Sequence, residues 1–143
     1  MILRGKIFVL TCVLVLCSNE EIVTSIKHPL NNDSYKIIIS NYIDCAELIE
    51  LLKKSPIDIL IMDLEVIMHE KYDLVGTILL DHPEVSIIAV YNEEEAGPIE
   101  YQLIKKQLGI HDILKIPISS KQLIQSICKT ITKKQKGTSV EYL

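Results

Sequence analysis

The sequence predicts an α/β fold built on a five-stranded, doubly wound parallel sheet. Five apolar runs of five to seven residues alternate with segments whose apolar residues recur at helical spacing. Aromatic residues make up only 5% of the chain and tryptophan is absent, while isoleucine, leucine and valine are abundant, a balance typical of strands buried on both faces. Strict alternation of strand and helix favours parallel pairing with right-handed crossovers, which puts helices on both sides of the sheet.

The five predicted strands are the apolar runs themselves. They cover residues 13–17, 35–40, 57–62, 85–91 and 112–116. The runs at 13–17 and 57–62 are expected to be central, which gives the strand order 2-1-3-4-5 with all strands parallel. An aspartate, Asp63, directly follows the third run.

Capping signals mark the first two helices. Ser18 with Glu21 three residues later forms a capping box that predicts Ser18 as the cap of the first helix. Asp44 with Glu47 forms a second box, which opens a helix that runs to Lys54.

Turn and stop residues define the other three helices. These helices are predicted over about 72–80, 98–109 and 119–137. Pro98 suits a first helical turn and Gly109 suits a C-terminal stop, while Ser119 or Ser120 caps the last helix. A basic turn is expected to end that helix near Gly137, where positive charge is favourable against the helix dipole.

The composition limits the class of protein. The net charge of −4 argues against a general nucleic-acid binder, which should carry an excess of positive charge. The apolar fraction of 48% excludes a disordered chain. We therefore expect one domain over residues 1–137 and a short tail over 138–143, with no direct nucleic-acid partner.

The four cysteines do not predict a metal site or a disulfide framework. No pair is spaced as in a CxxC motif, and no histidine stands at ligand spacing from any of them. We interpret Cys12, Cys17, Cys45 and Cys128 as reduced, mostly buried thiols, as is typical of a cytoplasmic protein.

The N-terminal segment allows two interpretations. Arg4 and Lys6 precede a largely apolar run of eleven residues, 7–17, in a pattern similar to the start of a signal peptide. The run is shorter than the roughly 20 residues that a membrane-spanning helix needs. A buried first strand fits equally well, and it predicts a cytoplasmic protein without a membrane anchor; export is the alternative.

Functional residues are expected where the strands end, because ligands of such sheets bind at the carboxyl ends of the strands. Asp63 is the main candidate there, since a carboxylate can accept a phosphoryl group, bind a metal or act as acid or base. A purely structural carboxylate that caps the next loop is the alternative. No glycine-rich phosphate loop and no nucleophile elbow occur in the sequence.

Three runs of the sequence resemble the receiver domain of bacterial two-component response regulators. Residues 52–63 (LKKSPIDILIMD) look like the third-strand signature of that family, which ends on its phospho-acceptor aspartate. Residues 82–90 (HPEVSIIAV) resemble the approach to its fourth strand, and 108–117 (LGIHDILKIP) resemble the glycine-containing run before its fifth strand and the closing proline. The resemblance covers about 13–131. It implies a flavodoxin-like (β/α)5 fold and a phosphorelay signalling module rather than an enzyme.

The resemblance assigns the phospho-acceptor role to Asp63, together with Mg²⁺ binding, but the rest of the family's site is changed. The corresponding pocket positions are Cys17, Ser18, Asn19, Glu20, Tyr91 and Ile116. The family has an acidic pair after strand one, a threonine or serine after strand four, and a lysine before the proline. Lys115 is one residue from the last position, so alternation along a strand should point it away from the pocket. We therefore expect a degenerate receiver with no cofactor beyond weak Mg²⁺ at Asp63.

The resemblance also implies a partner surface, because the family binds partners or dimerises through its fourth helix, fifth strand and fifth helix. The corresponding residues are Tyr101, Ile104, Ile113, Lys115, Gln122 and Ser126. The expected partner is a protein (a sensor kinase, an output domain or a second copy) and not a membrane. Two alternatives are an active receiver in which Glu20 completes the Mg²⁺ site, and a flavodoxin-like cofactor binder, which the missing phosphate loop disfavours.

Overall fold

Five strands and five helices alternate along the part of the chain that the computed structural model describes. The described residues are 10–17, 19–40, 45–64, 67, 72–92 and 101–141, without the side chains of 45, 72, 101–104 and 132–141. The strands are β1 (Thr11–Leu16), β2 (Tyr35–Ser40), β3 (Ile59–Asp63), β4 (Ser86–Tyr91) and β5 (Asp112–Lys115). The helices are α1 (Glu20–Lys27), α2 (Cys45–Lys54), α3 (Tyr72–Asp81), α4 (Tyr101–Leu108) and α5 (Ser120–Glu141).

The strands form one parallel sheet in the order β2-β1-β3-β4-β5, which confirms the predicted fold class and topology. The register pairs Leu16 of β1 with Met62 of β3, and Asp63 with Val90 of β4. At the far edge, Tyr91 pairs with Lys115 of β5. The carboxyl ends of the three inner strands and of β5 therefore lie next to one another.

Each face of the sheet is buried by its own set of helices. Successive residues of the inner strands alternate between two hydrophobic clusters, as a pleated strand requires. Val13, Ile59 and Ile88 belong to the cluster on the side of α1 and α5, with Ile26 and Ile127 of those helices. The opposite cluster, on the side of α2 and α3, includes Leu14, Leu60, Ile87, Leu48 and Ile78.

The first apolar run is a central strand of the core. Residues 12–15 of β1 are at most 4% exposed, and β1 pairs with both β2 and β3. The strand begins at Thr11, and residues 1–9 lie outside the described part of the chain. None of the described helices combines the length and the apolar character needed to cross a bilayer.

The described cysteines differ in exposure. Cys12 and Cys17 are buried free thiols, whereas Cys128 on α5 is exposed. The side chain of Cys45 is not among the described ones. The prediction of mostly buried thiols therefore agrees with Cys12 and Cys17, and Cys128 is an exposed exception.

Two predicted helix ends were wrong. The cap of α1 is Asn19 and not Ser18, which lies outside the described residues: Asn19 has an extended backbone, and its Oδ1 accepts hydrogen bonds from the N–H groups of Glu21 (2.8 Å) and Ile22 (3.3 Å). Asparagine caps helices as well as serine does, so the local signal did not distinguish them. Helix α5 continues past Gly137 to Glu141 instead of ending at the basic turn.

Candidate functional site at the carboxyl edge of the sheet

Asp63 lies at the centre of the carboxyl edge, as the sequence predicted. It is the last residue of β3 and is partly buried between β1 and β4. Because Leu16 pairs with Met62, the next residue after β1, Cys17, lies beside Asp63. The side chain of Cys17 belongs to the α1–α5 cluster and is 1% exposed.

The environment of Cys17 keeps its thiol protonated. Burial, and after it the negative charge of Asp63, raises the pKa of the Cys17 thiol from 9.0 to about 12. A neutral thiol is a weak hydrogen-bonding group and supplies no charge to its neighbours. The residue beside Asp63 is therefore an uncharged, buried group.

The residue at the end of β4 is also buried. Tyr91 is 2% exposed and packs in the cluster on the α2–α3 side, which includes Leu64 and Ile67. It lies one position beyond Val90, the partner of Asp63 in the ladder. The tyrosine ring therefore forms part of the hydrophobic core at the end of β4.

The end of β5 supplies no cation at the predicted position. The N–H of Ile116 donates to the carbonyl oxygen of Tyr91 at 2.8 Å, which joins this segment to β4. The Ile116 side chain packs against the α1–α5 cluster together with Leu114, and the bond from Ile116 to Pro117 is cis. Lys115 is exposed, and alternation directs it to the other side of the strand from Ile116.

The remaining predicted pocket residues lie at the start of α1. Asn19 is exposed and caps the helix, as described above. Glu20 is exposed in the first turn, where the partial positive charge of the helix N-terminus favours a carboxylate. The helix terminus alone therefore gives a sufficient structural reason for Glu20.

The described residues do not make a good Mg²⁺ site. Magnesium prefers an octahedral shell of oxygen ligands that usually includes carboxylates. No group of three His, Cys, Asp or Glu side chains that could hold a metal ion occurs among the described residues. Beside Asp63 stands the protonated sulfur of Cys17, which is too soft a ligand for a hard cation.

Only some of the residues predicted to form the partner surface are exposed. Gln122 and Lys115 are exposed and Ile113 is partly buried against the core, while the side chains of Tyr101 and Ile104 are not among the described ones. Ser126 is 3% exposed, so its assignment to the surface was wrong. The physical reason is a hydrogen bond: its hydroxyl donates to Asp112 Oδ2 at 2.6 Å, which turns Ser126 towards β5.

Sequence reasoning missed Asp112, which joins three elements. Its carboxylate also accepts the N–H of Ile113 at 2.9 Å and has the ammonium groups of Lys105 on α4 and Lys129 on α5 at 3.8 Å each. Asp112 and Ser126 are fourteen residues apart, so no local pattern could have paired them. Next to this network is an open groove of about 410 Å³ between β5 and α5, lined by Asp112, Leu114, Gln122, Gln125, Ser126 and Lys129.

Searches against protein-family models and against curated protein sequences found no match. Solved structures do match. The signal receiver domain of a protein described as a Luxo repressor, from Vibrio parahaemolyticus, superposes with a TM-score of 0.74 at 19% identity, over 93% of this chain and 98% of that one. A response regulator from Thermotoga maritima gives a TM-score of 0.70 at 19% identity, over 87% and 99% of the two chains.

A longer protein contains the same fold. NtrX from Brucella abortus superposes with a TM-score of 0.75 at 15% identity, over 93% of this chain but only 29% of NtrX. These matches agree with the strand order and with the five helices of the described residues. The chain therefore has the flavodoxin-like fold of response regulator receiver domains.

Proposed function

We propose that this chain is a receiver-like signalling module of a two-component phosphorelay that acts by binding a protein, and that Asp63 accepts phosphoryl groups poorly. The observation that carries the proposal is the buried, protonated thiol of Cys17 beside Asp63. In an active receiver this position helps to hold Mg²⁺. A site without that carboxylate keeps the fold and its surfaces but loses most of the chemistry.

The chemical argument rests on charge. Phosphoryl transfer to a carboxylate depends on positioning and on neutralising the charge of the transferring group. Cys17, Tyr91 and Ile116 supply neither a cation nor a carboxylate that could hold one. Since losing one charge-stabilising donor typically costs about 3 kcal/mol in a transition state, the loss of several should make transfer to Asp63 very slow, although such losses need not add.

The surface argument rests on the edge of the sheet. Strand β5 lies at one edge, between α4 and α5, and we call this region the α4–β5–α5 face. Its groove offers exposed side chains such as Gln122 and Lys129 to a partner. A sensor kinase, an output domain or a second copy of this chain could occupy it, and the match to 29% of NtrX supports the idea that this fold works next to other domains.

The chemical half of the proposal is tested with a small phosphodonor. The full chain is incubated with acetyl phosphate and Mg²⁺, and its intact mass is followed over time. We expect no detectable phosphoryl adduct on the native protein. Asp63→Asn is the negative control, and the double variant Cys17→Asp with Ile116→Lys, which restores two family residues, is the positive one.

Rapid modification of the native chain that Asp63→Asn abolishes would contradict the degenerate interpretation and favour the active receiver in which Glu20 completes the metal site. Beryllofluoride with Mg²⁺ gives an independent readout, because large amide NMR shifts near Tyr91 and Ile116 would also mean an active pocket. An absorbance spectrum typical of a flavin in the purified protein would instead favour the cofactor binder.

The interaction half is tested in cells. A photo-crosslinking amino acid at Gln122, on the α4–β5–α5 face, should trap a sensor kinase or an output domain, identified by mass spectrometry. The same amino acid at Lys36, which is exposed on β2 at the opposite edge, is the matched control. Capture should be unchanged in the Asp63→Asn background; loss of capture there would mean that phosphorylation controls binding.

A further inference from the structure

The charges of this chain are divided unevenly along the sequence. Residues 1–100 contain 7 Lys and Arg against 17 Asp and Glu, whereas residues 101–143 contain 8 Lys against 2 Asp and Glu. A protein with a net charge of −4 thus has a strongly basic C-terminal part. That part includes the whole α4–β5–α5 face.

The described side chains of the α4–β5–α5 face show the same excess. Asp112 is the one acidic residue among residues 105–131, against five lysines. These lysines are Lys105, Lys106, Lys115, Lys121 and Lys129. All are exposed except Lys105, which is partly exposed, so their charges face solvent and any partner.

The described carboxylate of this face, Asp112, is already held by short hydrogen bonds. Asp112 accepts from the Ser126 hydroxyl at 2.6 Å and from the Ile113 N–H at 2.9 Å. The ammonium groups of Lys105 and Lys129 are farther away, at 3.8 Å each, which is beyond the 2.7–3.2 Å of a hydrogen bond. Both lysines can therefore take a closer carboxylate from outside while Asp112 stays bonded within the fold.

We infer that the α4–β5–α5 face binds an acidic peptide segment of a partner protein, with carboxylates at Lys129 and Lys105 and an apolar side chain at Leu114. This inference rests on the proposed function, since it specifies the chemistry of the partner at the same face. Leu114, which is partly buried, contributes apolar surface to the groove of about 410 Å³. Gln122 and Gln125, which also line it, can donate side-chain hydrogen bonds to carboxylates or to a peptide backbone.

A second copy of this chain fits the face less well. The acidic side chains of the described N-terminal part include Glu21 on α1 and Glu50 on α2, which pack on opposite sides of the sheet. Among the described residues, the acidic side chains are therefore divided between the two sides of the sheet. A contact between unlike faces would also be head-to-tail, which produces open chains unless its rotation closes a ring.

Nucleic acid fits less well too. Tight phosphate binding needs several aligned cation contacts, and the overall charge of −4 repels a polyanion at a distance. A peptide with two or three carboxylates needs only the lysines around Asp112. We therefore favour the acidic peptide and treat the other two occupants as outcomes of the test.

The test is an amide NMR titration of the ¹⁵N-labelled full chain with a short synthetic peptide of alternating Glu and Leu. The matched control peptide alternates Gln and Leu, so it keeps the apolar side chains and lacks the charge. We expect shifts at Leu114, Gln122, Gln125 and Lys129, at least several-fold weaker binding of the Gln peptide, and weaker binding of the Glu peptide at high salt.

Two variants locate the contact. Lys129→Gln should weaken binding of the Glu peptide by up to about fivefold, the upper end of the range for one exposed ion pair. Lys36→Gln, an exposed lysine on β2 at the opposite edge, should leave binding unchanged. Equal effects of the two variants would mean attraction to the whole protein rather than to this face, and would overturn the inference.

The other outcomes separate this inference from the proposed function. If the Gln peptide binds the same residues as tightly, the face is a docking site, the proposed function stands and the requirement for acidic charge is wrong. If a short DNA duplex shifts the same amides at a lower concentration than the Glu peptide does, the occupant is a polyanion and the inference is wrong. If these amides shift with protein concentration alone, the occupant is a second copy of this chain and the inference is also wrong. No shift with either peptide overturns the inference, while crosslinking at Gln122 still reports independently on the proposed function.

Discussion

Replacing Cys17 by aspartate should make the stability of this protein depend on both pH and Mg²⁺. The substitution puts a carboxylate into a position that is 1% exposed and beside Asp63. Without a cation, two carboxylates then share a site that is largely shielded from water. The folded state should therefore lose stability whenever both are ionised.

The pKa of the native thiol gives the size of the effect. Burial and the charge of Asp63 raise the pKa of Cys17 from 9.0 to about 12, which means that an anion at this position costs about 4 kcal/mol. If a carboxyl group there experiences a similar rise, its pKa moves from about 3.9 in the unfolded chain to about 7 in the folded one. The cost is then absent below about pH 4, grows as the pH rises and is complete above about pH 7.

Magnesium should reverse part of this loss. An ion that binds the folded state alone adds about 2.7 kcal/mol when its concentration is 100 times its dissociation constant. The assay is urea unfolding followed by far-UV circular dichroism at pH 5 and pH 8, with MgCl₂ or with a chelator. Tryptophan fluorescence cannot serve, because the chain contains no tryptophan.

The matched control is Cys17→Asn, which has nearly the same size as the aspartate variant and no charge. It measures the cost of a polar group at the site, and its stability should be unaffected by Mg²⁺. The reasoning is refuted if Cys17→Asp and Cys17→Asn unfold at the same urea concentration at pH 8. It is also refuted if Mg²⁺ stabilises the native protein as much as Cys17→Asp, because Asp63 would then already have a complete metal site.

Four further predictions concern the fold that supports the site. Gly76→Ala should raise the free energy of unfolding by about 0.5–1 kcal/mol, because the exposed Gly76 lies inside α3 and a methyl group there meets nothing within 4 Å. Gly109→Ala should lower the free energy of unfolding by about 1–2 kcal/mol, because φ is +73° and the new Cβ would lie 3.0 Å from Leu79 Cδ1. Urea unfolding measures both changes. Asn19→Ala should lower the same free energy by about 1 kcal/mol through loss of the α1 cap, whereas Asn19→Asp should keep most of it; equal losses would argue against the cap. Deleting residues 1–19 should abolish cooperative unfolding, since β1 lies between β2 and β3, and a soluble, cooperatively folding deletion variant would contradict this.

Much of the fold was predictable because its signals are local or periodic. Buried strands on both faces require continuous apolar runs, and those runs occur at the five places where the strands formed. Gly109 directly follows α4 and has a positive φ, which agrees with the prediction that it stops this helix. The choice of cap at α1 was beyond local reasoning, because Ser18 and Asn19 are equally good caps and only the path of the chain after β1 selects between them.

The sequence predicted where the residues of the candidate site lie, but not how deeply they are buried or what surrounds them. The sequence by itself determined that Asp63 ends a buried strand and that Cys17, Tyr91 and Ile116 stand where other strands end, because every strand of a parallel sheet presents its carboxyl end at the same edge. The tertiary structure decided what surrounds them. Burial beside Asp63 sets the pKa of the Cys17 thiol, and the packing of α2 and α3 buries Tyr91, since burial and electrostatics depend on elements that are distant in sequence.

For the α4–β5–α5 face, too, the sequence determined some properties and only the tertiary structure determined others. The sequence determined its charge, since the lysines of residues 101–143 can be counted directly. Only the tertiary structure decided that Asp112 binds Ser126 and brings Lys105 and Lys129 together at the start of β5. Helical and strand periodicity specify which side of one element is buried, but the pairing of side chains between elements depends on the register and packing that the whole fold imposes.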